Sequence, residues 1–312
     1  MAERPLIRVA AGVLQRPDGT VLLAQRPQGK IAAGWWEFPG GKIEAGESGF
    51  DALRRELIEE LGVEIQHATP LIRFQHDYTD RRVQLETWLI HAWHGEPQPR
   101  ENQTLNWLPV TALRAQPQAL PTVMPIVAAL ALPTQYVLTA PDSTAAQVLN
   151  HLRHLPTGAL LRLRWPQWSD ADYVTQAACL IAPAQQQGLR VILDRDPAQV
   201  AALGADGWHA SSAALQQLHA RPDVPLALAS AHRADDIARA AQLGFDAAVL
   251  GSVCPTPSHP DARPLGWAGF TQVRGFAPLP VYAIGGVSPV HLPDAWQAWA
   301  QGVAGISAYW PV

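Results

Sequence analysis

Glu56 and Glu60 stand four residues apart, with Glu59 beside the second, near the end of the segment Gly41-Lys-Ile-Glu-Ala-Gly-Glu-Ser-Gly-Phe-Asp-Ala-Leu-Arg-Arg-Glu-Leu-Ile-Glu-Glu-Leu-Gly-Val63. Like charges at this spacing on a helix cost a few tenths of a kcal/mol. In the last turn the helix dipole disfavours them further. Arg55, four residues before Glu59, offsets part of that repulsion. The glutamates taken alone fit two readings. One is a solvated acidic face. The other is a set of carboxylates for a hard divalent cation, Mg²⁺ or Mn²⁺, which binds oxygen ligands together with waters and substrate phosphates. Such an ion neutralises phosphate charge and lowers the pKa of a bound water.

Local physics places these residues on a loop followed by a helix. Ser48 can cap a helix N-terminus, with Asp51 three residues on. Gly62 stands where a helix ends in a left-handed residue. Leu53, Leu57 and Leu61 follow one another at i, i+4 and i+8 and give a buried stripe. Around this helix, over Gly49–Leu61, strands are expected at Ile7–Leu14, Val21–Gln25, Arg82–Trp93 and Asn106–Val110. The first two are joined by the turn Arg16-Pro-Asp-Gly. The pattern is α+β.

The rest of the chain is built differently. Every glutamate lies between Glu3 and Glu101, and both lysines, Lys30 and Lys42, fall in the same third; beyond it the acids are aspartate and the strong cations arginine. A Pro-rich stretch from Pro117 to Pro133, holding the apolar segment Ile126–Leu132, marks a short helix and then a boundary. Two domains are expected, 1–132 and 133–312. In the second, strands are expected at Tyr136–Thr139, Ala159–Leu163, Val191–Leu193, Gly207–His209, Pro225–Ala229, Ala247–Leu250, Val281–Ile284 and Gly305–Ser307. Eight short strands with helical segments between most of them imply a parallel α/β architecture: a (β/α)8 TIM barrel, with an open doubly wound sheet as the alternative.

Gly41, five residues, Glu47, seven residues, Arg55-Glu56-Leu57, one residue, Glu59-Glu60, one residue, Gly62-Val63 resembles the Nudix box at every specified position. The preceding Trp36-Glu37-Phe38-Pro39-Gly40, Arg26 before it, and the run His94-Gly95-Glu96-Pro97 leading to Glu101 and Trp107 resemble the MutT branch, the 8-oxo-dGTP diphosphatases. The resemblance implies a Nudix fold, a mixed sheet with flanking helices. It also implies an Mg²⁺-dependent (or Mn²⁺-dependent) hydrolase that converts a nucleoside triphosphate to monophosphate and pyrophosphate, with 8-oxo-dGTP or a related oxidised dNTP as substrate and nucleotide-pool sanitation as role. By the same resemblance Glu56, Glu59 and Glu60 hold metal, with the Gly40 carbonyl as a further ligand. Arg55 orients the carboxylates, Glu47 supports the loop, and Glu101 is a general base or extra metal ligand. Arg26, Glu37, Phe38, Pro39 and Gly40 meet the nucleotide. One feature departs from that branch. The asparagine between two prolines that reads the oxidised purine is missing from Pro121-Thr122-Val123-Met124-Pro125; Val123 can neither donate nor accept, and Thr122 offers one hydrogen bond.

Later motifs, Leu161-Arg162, Asp194-Arg195, Gly204-Ala-Asp-Gly-Trp-His209, Ser230-Ala-His232, Thr256-Pro-Ser258, Ala283-Ile-Gly-Gly286 and Gly305-Ile-Ser307, come in the order seen in thiamine phosphate synthase and its TenI relatives. The resemblance implies a barrel that takes a thiazole or thiamine phosphate, with Arg162, Asp194, His232, Gly285, Gly286 and Ser307 as site residues. His232 is the candidate acid or base, and the two glycines either hold phosphate through backbone N–H groups or only allow tight turns. The synthase pattern itself is broken. Asn-Asp-Arg has become Leu193-Asp194-Arg195, and Ser211-Ser212-Ala213 occupies the place of a metal aspartate. No lysine lies in this half, leaving His259 or Arg263 as substitutes. A fused barrel and the lost asparagine motivate two alternatives: a hydrolase of a thiamine-pathway pyrophosphate, or a barrel that binds a thiazole phosphate without turning it over.

The bulk composition narrows the partners. A formal net charge of −4 does not fit a surface that coats nucleic acid, so no stable nucleic-acid binding is expected. Two distant cysteines, Cys179 and Cys254, are too few for a disulfide framework. With no long apolar run at the N-terminus or later, neither a signal peptide nor a membrane span is expected. The expected location is the cytoplasm.

Overall fold

The computed structural model describes residues 4–256 and 263–310. The chain divides into two compact units, Met1–Leu132 with Phe276–Pro278, and Pro133–Gly275 with Leu279–Val312.

In the first unit, β1 (Leu6–Leu14) is the spine of a four-stranded sheet. It pairs in parallel with β6 (Arg82–His94) and antiparallel with β4 (Gly40–Lys42), while β5 (Glu64–Asp77) adds antiparallel to β6. A second, antiparallel sheet has β2 (Thr20–Gln25) between β3 (Trp36–Glu37) and β7 (Thr104–Pro109). Helix α1 (Gly49–Leu61) lies on β1, its Leu53, Leu57 and Leu61 fully buried. Gly12 permits that close approach, since a Cβ there would press on Ile90, Leu53 and Leu57. The core of this unit gathers Ala11, Val13, Leu23, Phe74 and Leu85 against Leu113 of the one-turn helix α2 (Val110–Leu113) and Val123, Ile126 and Val127 of α3 (Val123–Leu130).

Strand β5 is the longest of the described strands, yet it falls in a stretch without strand periodicity. Its register with β6 shifts between Ile65 and His67, between His67 and Ala68, and between Pro70 and Ile72. Each irregularity breaks the alternation that marks a strand. Pairing with β6 over the whole length is what keeps it extended.

In the second unit eight parallel strands close on themselves. They are β8 (Gln135–Leu138), β9 (Leu160–Arg162), β10 (Arg190–Leu193), β11 (Gly207–Ala210), β12 (Leu226–Ala231), β13 (Ala247–Gly251), β14 (Val281–Ile284) and β15 (Val303–Gly305). The pairing of β15 with β8, Ala304 opposite Tyr136, closes the barrel and sets aside the open-sheet alternative. Strand β15 lies two residues before the expected Gly305–Ser307, because the buried Val303 and Ala304 are what the barrel wall takes up. Ser307 therefore sits in the following turn, exposed. Among the described residues, no helix is long and apolar enough to cross a membrane.

Candidate active site

The Gly41–Val63 segment folds so that three pieces of backbone present its carboxylates. Ser48 caps α1 by accepting a hydrogen bond from the Asp51 N–H at 3.1 Å, and Gly62 ends it at φ 72°. The C-terminal turn, loaded with acids, receives a cation from elsewhere: Arg100 donates through Nη1 to the Ile58 carbonyl at 3.0 Å. That placement answers the dipole cost of Glu59 and Glu60. Strand β4 passes so close to α1 that a Cβ on Gly41 would overlap the Glu56 carboxylate. The neighbouring Gly40 N–H donates to Glu60 Oε2 at 3.1 Å.

Arg55 is the hub. Its Nε and Nη2 clasp the two oxygens of Glu47 at 3.1 and 3.0 Å, and Nη1 reaches Glu56 Oε1 at 2.7 Å and Glu59 Oε2 at 3.4 Å. Nη2 also donates to the Lys42 carbonyl at 3.1 Å. A planar guanidinium suits this work because its donors are fixed in one plane. Glu56 is 17% exposed, whereas Glu59 is 57% exposed and lies outside the lining of the cleft. Burial pushes the Glu60 carboxyl up to about 7, and the charges of Glu101, Glu37 and Glu56 add to the rise.

The cleft measures about 690 Å³. Glu56, Glu60, Glu101, Lys30 and Lys42 line it, as do Arg26, Glu37, Phe38, Gly40 and Gly41, while Ile7, Val9, Val83, Leu85 and Ile126 give it an apolar floor. Arg26 Nη1 binds both oxygens of Glu37, at 2.8 and 2.6 Å. Pro39, expected to meet substrate, is not part of the lining; its carbonyl accepts from the Gly12 N–H at 2.9 Å. Glu101 is paired with Lys30. The sequence did not point to Gln103, 7% exposed, which accepts from the Glu101 N–H at 2.7 Å and donates to the Glu60 carbonyl at 2.9 Å. A glutamine in a loop has no spacing signature, so only the fold could reveal it.

Val123 is buried, and it is Thr122 that brings a polar group to the cleft. Thr122 precedes α3 with helical backbone angles, φ −68° and ψ −14°, and its hydroxyl makes no capping bond.

In the barrel, Arg162 Nη2 pairs with Asp194 Oδ2 at 3.2 Å, both nearly buried. Burial pushes the Asp194 carboxyl up, against the pull of Arg162 and Arg164. His232 is exposed, its backbone N–H held by Asp236 Oδ2 at 2.9 Å. Among the described residues His209 is the buried histidine, its Nδ1 2.9 Å from the Tyr136 hydroxyl and its Nε2 2.9 Å from Ser230 Oγ. Burial holds its imidazole well below the usual histidine range, so it is neutral. Gly285 and Gly286, at φ 93° and 66°, stand against Ser252 and Cys254–Pro255, where side chains would overlap. Arg263 is exposed, and His259 and Ser258 lie outside the described residues.

A family model described as "NUDIX domain" matches residues 10–129, and one described as "Thiamine monophosphate synthase" matches residues 135–309. The chain belongs to the Nudix family in its first unit and to the thiamine monophosphate synthase family in its second. The first unit is a hydrolase acting on phosphoric anhydrides. An 8-oxo-dGTP diphosphatase of Haemophilus influenzae is 40% identical over 113 residues, 36% of this chain and 83% of that protein. A CTP pyrophosphohydrolase of Escherichia coli is 43% identical over 102 residues, 33% of this chain and 75% of that protein. A thiamine-phosphate synthase of Caldivirga maquilingensis is 31% identical over 151 residues, 47% of this chain and 73% of that protein.

Proposed function

We propose that the first unit is an Mg²⁺-dependent pyrophosphohydrolase that converts a nucleoside triphosphate, 8-oxo-dGTP or a related oxidised dNTP, to monophosphate and pyrophosphate in the cytoplasmic nucleotide pool. What carries the reading is one arrangement: Arg55 fixing Glu47 and Glu56 while the Gly40 N–H fixes Glu60, at the wall of a cleft large enough for a nucleotide.

The residues present fit a divalent cation. Glu60 is partly buried among three other carboxylates whose charges oppose its ionisation, and the donors are all hard oxygens. Among the described residues, no three such groups already form a metal-binding cluster; Arg55, Lys30 and the Gly40 amide hold them instead. Glu56, Glu60, Glu101 and the Gly40 carbonyl would hold the ion, with Glu59 the outermost contributor. Bound there, it would neutralise phosphate charge and make a water acidic enough to attack at neutral pH. Arg55 keeps the Glu56 carboxylate aimed, and Gln103 holds the Glu101 backbone to the end of α1. Arg26, Glu37 and Phe38 receive the nucleoside, with Phe38 offering an apolar ring. The hydrolysis adds one water across the bond between α- and β-phosphates, so oxygen bonds to phosphorus as the bridging P–O bond breaks and pyrophosphate departs.

Replacing Glu56 by Gln should lower kcat at least a hundredfold, the scale of the several kcal/mol that a metal's charge stabilisation supplies. Full turnover of Glu56→Gln in saturating Mg²⁺ would overturn the assignment. Comparing kcat/KM for 8-oxo-dGTP, dGTP, CTP and thiamine diphosphate tests the substrate. The relatives reported for the first unit are named for nucleotides, which does not favour a thiamine-pathway pyrophosphate.

For the second unit, parted from the first at Leu132–Pro133, we propose a barrel that binds a thiazole or thiamine phosphate. Family membership and the backbone turn at Gly285–Gly286 support this. The absence of a shift in the thermal transition of the full chain on adding thiazole phosphate would refute it.

A further inference from the structure

Lys30 and Lys42 are the two lysines of a chain with 23 Lys and Arg residues, and both line the same cleft. Lysine differs from arginine in ways that suit such a place: its charge is compact, and its long stem can swing between partners without losing a fixed planar geometry. Lys30 is held on a loop that is folded onto itself. The Arg26 N–H donates to the Trp35 carbonyl at 2.9 Å, the Gly34 N–H returns to the Arg26 carbonyl at 2.9 Å, and Arg26 Nε donates to the Ile31 carbonyl at 2.7 Å. From this loop the ammonium reaches Glu101, whose backbone is tied through Gln103 to Glu60. The pair is half exposed, 49% for Lys30 and 40% for Glu101, so it can open at small cost.

We propose that Lys30 is an exchange cation of the hydrolytic site: it occupies Glu101 in the free protein and moves onto the phosphate chain of the nucleotide when a divalent cation takes Glu101. The inference rests on the metal and nucleotide reading above and adds a coupling to it. The metal releases Lys30 for the phosphates, and the phosphates draw Lys30 away from the carboxylate. By linkage, each ligand tightens the other by the same factor. Lys30 is thus a positioning residue toward Glu101 and a binding residue toward the substrate.

The test uses the full chain and Mn²⁺ alone, titrated by electron paramagnetic resonance without nucleotide. Lys30→Met should tighten Mn²⁺ about two- to fivefold, the range for an exposed ion pair removed from competition. In a Glu101→Gln background the same substitution should change nothing, which separates release of Glu101 from a general change in charge. In steady-state hydrolysis Lys30→Met should raise KM for dGTP about tenfold with kcat less affected, and Lys30→Arg, which keeps the charge but not the compact ammonium, should recover only part of it. An unchanged or weaker Mn²⁺ affinity in Lys30→Met overturns the proposal, as does a tightening that persists without Glu101, or an unchanged KM. Wild-type protein that binds Mn²⁺ yet hydrolyses no triphosphate would sink the substrate reading instead, and the Mn²⁺ titration reports on Lys30 and Glu101 regardless.

Discussion

Thr122 is a threonine at a helix start that does not cap. Its backbone is already helical, its hydroxyl makes no capping bond, and the residue lines the cleft. A hydroxyl can turn to donate or to accept. Guanine presents an acceptor at N7 where 8-oxoguanine presents N–H, so a rotating hydroxyl satisfies both. 8-oxo-dGTP should therefore be preferred over dGTP by no more than about tenfold in kcat/KM, and Thr122→Val should lower both by roughly two- to tenfold, the worth of one neutral hydrogen bond. A selectivity above a thousandfold for 8-oxo-dGTP in the wild type would contradict this. Gln103 makes a different kind of contribution, tying the Glu101 backbone N–H to the Glu60 backbone carbonyl and so setting where the two carboxylates start. Gln103→Leu should weaken metal affinity about 10–100-fold, the usual effect of removing a group that orients a ligand. Isothermal titration with Mn²⁺ measures it, and an unchanged affinity would remove Gln103 from the site.

At the scale of elements, α1 decides whether the carboxylates meet. Its span, cap and buried stripe were legible in the sequence because each depends on near neighbours: Ser48 on Asp51, Gly62 on the last turn, and the leucines on 3.6-residue periodicity. What steadies its acidic end was not legible, since Arg100 arrives from a loop 42 residues away from Ile58. Gly62→Ala combines both effects. The alanine would pay a left-handed backbone penalty of about 1 kcal/mol, and its Cβ would overlap the Arg100 guanidinium. The first unit should lose more than about 1 kcal/mol in urea unfolding, and metal affinity should fall with it. A loss of no more than about 1 kcal/mol, the backbone penalty alone, would show that Arg100 gives way freely. Strand β5 teaches the converse: three register irregularities erased its alternation, and the extended form came from its partner β6.

For the molecule as a whole, the two units should respond differently to acid. His209 is neutral inside the barrel, because burial and the nearby Arg162 and Arg164 charges all oppose its protonation. In the unfolded chain it regains an ordinary pKa of about 6.5. Below that pH the unfolded state binds a proton that the folded barrel does not, so stability falls as pH falls. The slope is about 1.4 kcal/mol per pH unit until the folded pKa is reached. Between pH 6.5 and 5 the barrel's unfolding free energy should drop by up to about 2 kcal/mol. His209→Gln, less stable at neutral pH, should lose most of that slope; an equal slope in the variant would assign it to other groups.

The sequence by itself determined what local rules can carry: α1, most of the strands within two residues of their bounds, the Gly41–Val63 spacing, and the count of eight that suits a barrel. These depend on periodicity, caps and motif intervals, all of which are written within a few neighbours. Tertiary structure decided what depends on distant pairs. It closed β15 onto β8, moved Ser307 out of the strand, left His232 exposed, and put His209 between Tyr136 and Ser230. It also brought Lys30 and Thr122 to a cleft, and Gln103 to the Glu60 carbonyl, none of which their own neighbours in sequence announce. A loop side chain has no period, so its place becomes known only once the backbone on which it stands has been packed.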